Sequence, residues 1–155
     1  MIRLSRLTDY GIVLMSHFAK MGPVKMLTAR ELAEKSGIPL PTVSKLLKLL
    51  SKSDLISSHR GSKGGYSLVR KAHEISVAEM IDILEGPIAM TECSSHGNHV
   101  CGLELICPTR GPWQRINQVV RQALSRLSLA DMAGDLLLPV LPKKLLNIVT
   151  QEERV

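Results

Sequence analysis

Aromatic side chains are nearly missing: one Trp, one Phe and two Tyr in 155 residues. A single-strand binder stacks bases on such rings, so that class is disfavoured. Cysteine is scarce as well, and its count of three is odd. An odd count and no secretory context argue against a disulfide framework. No apolar run reaches the about 20 residues that cross a bilayer. Near the amino terminus Arg3 and Arg6 precede Ile12-Val13-Leu14-Met15, yet Asp9 and His17 interrupt that block and it is too short for a signal peptide. Internal repeats and low-complexity segments are absent too. These absences lead to the expectation of a cytoplasmic protein with no membrane partner.

What is present begins with a core. Apolar residues make up 45% of the chain, enough for one folded domain with an extension. The net charge of +6 is uneven. Residues 1–70 hold 12 Lys and Arg against 4 Asp and Glu, whereas 71–155 hold 8 against 10. A basic amino-terminal half suits a polyanion such as double-stranded DNA.

The order of motifs sharpens this. Apolar spacing predicts a first helix over 8–21 with Thr8 as its cap, ended by Gly22-Pro23. Thr28-Ala29-Arg30-Glu31 is a capping box that opens a second helix to about Ser36. Gly37 supplies a turn, and a third helix follows over about 41–53. Val43, Leu46, Leu47 and Leu50 form its inner face; Thr42, Ser44, Lys45, Lys48 and Lys52 lie outside. This is a helix-turn-helix whose second helix can enter the major groove. Thr42, Ser44 and Lys45 are placed to reach base edges, Lys48 and Lys52 to reach phosphates. Thr28, at the start of the second helix, joins them as a DNA contact. Strands are expected over 55–59 and 66–69, around the basic tip Arg60-Gly61-Ser62-Lys63-Gly64-Gly65. A helix-turn-helix followed by a hairpin is a winged helix, with Arg60 and Lys63 on the wing facing phosphates or the minor groove.

Ser76-Val77-Ala78-Glu79 is a second capping box, opening a helix that stops at Gly86-Pro87. The three cysteines come next, Cys93, Cys101 and Cys107, spaced C-x7-C-x5-C with His96 and His99 inside the first interval. Thiolates on a glycine-containing loop suit a soft metal. Spacing alone leaves iron–sulfur and zinc open. Cys93, His96 or His99, Cys101 and Cys107 can close a tetrahedral zinc site, though no tight CxxC pair is present. A cluster-free thiol, redox or nitric oxide sensor is a further alternative. Thiol enzyme chemistry is disfavoured because no cysteine stands beside a base with an orienting third group. No catalytic residues and no small-molecule substrate are expected. Beyond the loop, Trp113, Ile116, Val120, Ala123, Leu127 and Ala130 recur at 3-4-3-4-3 spacing, a seam for pairing with a second copy.

These motifs together are similar to those of the Rrf-two family of bacterial transcription regulators, over residues 1 to about 133. The likeness rests on Leu7-Thr8-Asp9-Tyr10, on Ile38-Pro39-Leu40-Pro41-Thr42-Val43-Ser44-Lys45 and on the wing from Ser58 to Tyr66. It continues through Ile75 to Glu79 and the three cysteines followed by Trp113. The resemblance, nearest to regulators of Isc and Suf assembly operons, implies a homodimeric winged-helix repressor with an iron–sulfur cluster, two-iron or four-iron. It implies Cys93, Cys101 and Cys107 as ligands and Arg60 as the wing arginine. Some relatives carry a fourth ligand, a histidine, where this chain has Arg110; others take an acid from the partner subunit's first helix, where this chain has Asp9. His96, His99, an exogenous thiol, Glu92 and Glu104 are the other candidates. The expected fold is mainly α with a small β-hairpin wing: a winged helix-turn-helix domain plus a long dimerisation helix. Its parts are a DNA-binding domain at 1–86, a cysteine loop at 87–111, a dimerisation helix at 112–133 and a tail at 134–155.

Overall fold

The computed structural model describes residues 3–22, 25–61, 64–94, 102 and 106–134, the side chain of Cys93 excepted. Lys63, His96, His99, Cys101, Glu104 and the tail from 135 to 155 lie outside the described residues, as does the Cys93 thiol. Three helices come first: α1 (Arg6–Met21), α2 (Ala29–Ser36) and α3 (Leu40–Lys52). Two strands, β1 (Ile56–His59) and β2 (Gly65–Leu68), form the hairpin, and α4 (Val77–Leu84), α5 (Arg110–Ser125) and α6 (Leu129–Ala133) follow. Single 3-10 turns occupy Ala72–Glu74 and Glu92–Ser94. The fold is mainly helical with a two-stranded wing, as the motif order predicts.

One apolar core serves the reading head. Leu14, Met15 and Phe18 of α1, Leu32 of α2 and the Val43-Leu46-Leu47-Leu50 stripe of α3 are all buried, with Ile75, Met80 and Leu129 closing the far side. Each such side chain contributes roughly 1.5–3 kcal/mol relative to exposure. Gly11 lets α1 and α4 touch, since a Cβ there would stand 2.6 Å from Leu84 Cδ1. Gly37, at φ +70°, makes the left-handed turn between α2 and α3. The hairpin pairs Ile56 with Leu68 and His59 with Gly65 in antiparallel register. Leu27 adds a third, single-bridge rung to Tyr66 through bonds of 2.9 Å in both directions, which ties the wing to the segment before α2.

Three local expectations are corrected. Ser5, not Thr8, caps α1: its hydroxyl accepts from the Thr8 amide, so the helix begins earlier and Thr8 is buried in the first turn. At Ser76 only half of the capping box forms; Ser76 Oγ accepts from the Glu79 amide, but the Glu79 carboxylate pairs with Arg70 instead. The helix expected over 112–133 is two helices. α5 ends at Ser125, and Ser128 with Asp131 forms a fresh capping box that opens α6. Between them the backbone leaves the helix to bond α4's leading edge, Val77 N to Leu127 O and Leu129 N to Ile75 O, both at 2.8 Å. Burial of Leu129 rewards that break, and α6 then packs against α1.

Candidate nucleic-acid interface and cysteine loop

α3 presents the expected outer face. Its Val43, Leu46, Leu47 and Leu50 are turned into the core, leaving Ser44, Lys45 and Lys48 exposed and Thr42 half-buried. No acidic residue lies in the first turn of α3. At its far end Asp54 takes the left-handed conformation, φ 55°, and the Leu55 amide reaches back to Leu50 O, launching β1 at once. Arg60 is exposed at the end of β1, beside Gly61 at φ +120°. Gly64 closes the wing: a Cβ there would meet His59 O at 2.3 Å and Gly61 O at 2.9 Å. Since α3 packs against β1, the exposed groups of α3 and Arg60 stand on adjoining elements. Thr28 is exposed, but its hydroxyl is committed to the α2 cap, bonded to the Glu31 carboxylate at 2.9 Å and accepting from the Glu31 amide. That bonding holds the Glu31 carboxyl below its usual range, first through the Thr28 amide and then through its hydroxyl.

The cysteine loop has two described roots, and both meet α5. Cys93 lies in the 3-10 turn Glu92–Ser94, closed by the Thr91 and Ser94 hydroxyls at 2.8 Å and packed against α5. Cys107 lies three residues before α5 begins, and its partly exposed thiol is 3.3 Å from Thr109 Oγ1. Hydrogen bonding from the Thr109 hydroxyl, then its amide, holds the Cys107 thiol below its ordinary range, and the Arg110 amide and charge add to this. A thiolate at a helix start is the donor a soft metal takes. Among the described residues no three metal-ligating side chains converge.

Asp9 is exposed on α1, beside a shallow cavity of about 260 Å³ lined also by Ser16, His17, Lys20 and Met132. His17 is half-buried at the core edge, and burial, with Lys20 and Lys35 nearby, lowers its pKa.

Sequence reasoning missed the groups that tie these parts together. Glu85, at the end of α4, accepts from the Thr8 hydroxyl and from the Ser5 amide at 3.1 Å, so it closes the start of α1. Asn117 is buried in α5 and bonds the backbone of Ile88 and Met90. One turn on, Arg121 makes a two-pronged ion pair with Asp82 at 2.6 and 3.1 Å. An amide at an inward position of an amphipathic helix was the available signal for Asn117.

The outer side of α5 remains apolar. Ile116 is 44% exposed, Val119 61%, and with Gly111, Pro112, Arg115 and Val120 they line an open groove of about 680 Å³. Trp113 and Ala123 are exposed too, so part of the predicted seam stands outward; Leu127 packs on the core instead. No described helix is long and apolar enough to cross a membrane.

A family model described as "Rrf2: Iron-dependent Transcriptional regulator" matches residues 4–135. The chain is 30% identical over 147 residues to Protein rrf2 of Nitratidesulfovibrio vulgaris, covering 95% of this chain and 96% of that one. Among solved structures it is similar to CymR, the global cysteine regulator of B. subtilis, with a TM-score of 0.71, 26% identity, and coverage of 86% and 97% of the two chains. IscR of T. potens is similar as well, with a TM-score of 0.67, 25% identity, and coverage of 89% and 93%. The family model and CymR are both described as regulators, and a further relative, 31% identical over 137 residues, is the HTH-type transcriptional regulator IscR of Photorhabdus laumondii, with 86% of this chain and 80% of that one covered.

Proposed function

The chain belongs to the Rrf2 family of helix-turn-helix transcriptional regulators, and from that premise we propose a homodimeric repressor that reads a double-stranded operator and reports iron–sulfur status through its cysteine loop. The observation that carries this reading is the seating of both described loop roots, the Cys93 turn and Cys107, on the helix that also offers the exposed apolar face. Thr42, Ser44 and Lys45 face base edges, Lys48, Arg60 and Lys63 face phosphates or a narrow groove, and Thr28 adds a contact at the start of α2. A second copy covers Ile116, Val119 and Trp113 and sets the spacing of two heads on the duplex.

Cys93, Cys101 and Cys107 hold the cluster, and Asp9 of the partner subunit supplies the fourth ligand. The donor set fits a thiophilic centre: three thiols fall within one short loop, and the Cys107 thiol stands just before α5, 3.3 Å from the Thr109 hydroxyl. A bound iron–sulfur centre supplies oxidant-sensitive bonds between these residues. The chain's own part is to hold the thiolates on α5 and to link the loop root, through Glu85, to the start of α1 in the reading head. A Suf- or Isc-type assembly operon is the target that the family resemblance supports.

A second reading is a cluster-free thiol sensor. The lowered Cys107 thiol favours it, together with the likeness to a regulator described as the global cysteine regulator.

Protein purified without oxygen decides between them by visible absorption with iron and sulfide analysis. Comparable iron and sulfide, lost in the Cys107→Ala variant with its helical circular dichroism intact, supports the cluster. Stoichiometric zinc in a colourless protein makes the loop structural. A metal-free protein that stays colourless after reconstitution leaves the thiol sensor.

A further inference from the structure

Residues 87–94 carry the chain from α4 down to Cys93, with backbone bonds that the side chains of Asp82 and Asn117 supply. Asn117 accepts from the Met90 amide through Oδ1 at 3.1 Å and donates Nδ2 to Ile88 O at 3.1 Å. A single carboxamide thus satisfies a donor and an acceptor two residues apart, as a neighbouring strand would. The Ile88 amide is taken by Asp82 Oδ1 at 3.1 Å, and Arg121 holds that same carboxylate with both guanidinium prongs. Asn117 is only 8% exposed and both bonds are part-buried, so losing them leaves the Ile88 carbonyl and Met90 amide poorly satisfied. Three residues beyond Met90 stands Cys93, in a turn packed on α5. Cys107 stands three residues ahead of α5 at its other root.

We propose that Asn117 is the positioning residue of the cysteine loop: its carboxamide sets where the Cys93 turn stands relative to Cys107, so that a thiophilic metal meets both roots in register. This deepens the reading above and rests on its use of the loop as a metal-binding sensor. Asn117 touches no ligand itself. It acts through the Ile88–Met90 backbone, as groups that orient metal ligands commonly do.

The probe is Cd²⁺ alone, titrated into the metal-free full chain and followed by the ultraviolet thiolate-to-metal charge-transfer band. Asn117→Leu keeps the volume and removes both bonds. Asn117→Asp keeps the acceptor for Met90 and removes the donor to Ile88. We expect the Leu variant to bind Cd²⁺ about 10- to 100-fold more weakly, with unchanged helical circular dichroism and faster hydrogen exchange at the Met90 amide. The Asp variant falls between the Leu variant and wild type. A folded Leu variant with wild-type Cd²⁺ affinity overturns the proposal, as does a wild-type protein with no thiolate band. Should the Leu variant fail to fold, wild-type affinity in the Asp variant overturns it. The two readings fail separately. Asn117-dependent Cd²⁺ binding in a protein that takes up no iron–sulfur centre keeps this inference and removes the cluster. Normal cluster uptake with Asn117-independent Cd²⁺ binding does the reverse.

Discussion

Glu85 shows how one exposed carboxylate can join two ends of a fold. It lies beside Gly86, where α4 stops, yet its bonds go to Thr8 and Ser5 at the start of α1. Those bonds, the Thr8 hydroxyl first and then the Ser5 hydroxyl and amide, hold its carboxyl below the usual range. A carboxyl depressed in the folded state contributes stability above its unfolded pKa, and that contribution fades as pH falls through the folded value. Glu85→Gln is therefore expected to melt below wild type at neutral pH. The gap should close as pH drops below the ordinary Glu value of about 4.3. Thermal melts of both proteins from pH 7 to pH 3 test this; a gap that does not change with pH would show that charge plays no part. Thr8 could not be assigned to Glu85 from sequence, because the two are far apart in the chain and an exposed Glu after a helix carries no distinguishing pattern.

At the scale of elements, the short connection between α5 and α6 decides how the carboxy-terminal part packs. An uninterrupted α5 would send Leu127 and Leu129 to different faces of a long rod. The Ser128–Asp131 capping box and the bridge to Ser76 turn the chain back, and Leu129 becomes fully buried. Leu129→Ala should cost about 2–5 kcal/mol of stability, as for a buried leucine whose site does not collapse. Denaturant unfolding gives the number. A loss under about 1 kcal/mol would mean that α6 is not part of the cooperative core. The heptad-like spacing through 127 and 130 masked this break. Ser128-x-x-Asp131 was the local signal against it, since Ser followed three residues later by an acid marks a helix start. The α2 capping box, the α3 stripe and the hairpin were legible because each is a local pattern whose burial follows from its period.

At the scale of the whole molecule, the described part of the reading head packs around one core, whereas no described residue covers the groove on α5. Ile116 and Val119 stand where a second copy would seal them from water. Ile116→Asp should shift the protein from dimer to monomer in sedimentation equilibrium and weaken binding to a two-half-site operator by more than tenfold. Affinity for a single half-site should change little, because α3 and the wing lie on a separate part of the molecule. An Ile116→Asp protein that remains dimeric would move the pairing surface elsewhere.

The sequence by itself determined what depends on neighbours in the chain. Helix periods, caps, the Gly37 turn, the basic wing and the cysteine spacing are all short-range, and with the motif order they specify a winged head followed by a cysteine loop. Tertiary structure alone decided which distant groups meet: Glu85 with Thr8 and Ser5, Asn117 with Ile88 and Met90, Arg121 with Asp82, and Leu129 with the core. The reason is physical. A hydrogen bond or ion pair between segments 27 to 80 residues apart leaves no periodic trace, and a side chain such as Arg121 looks the same in sequence whether it faces water or fastens a loop.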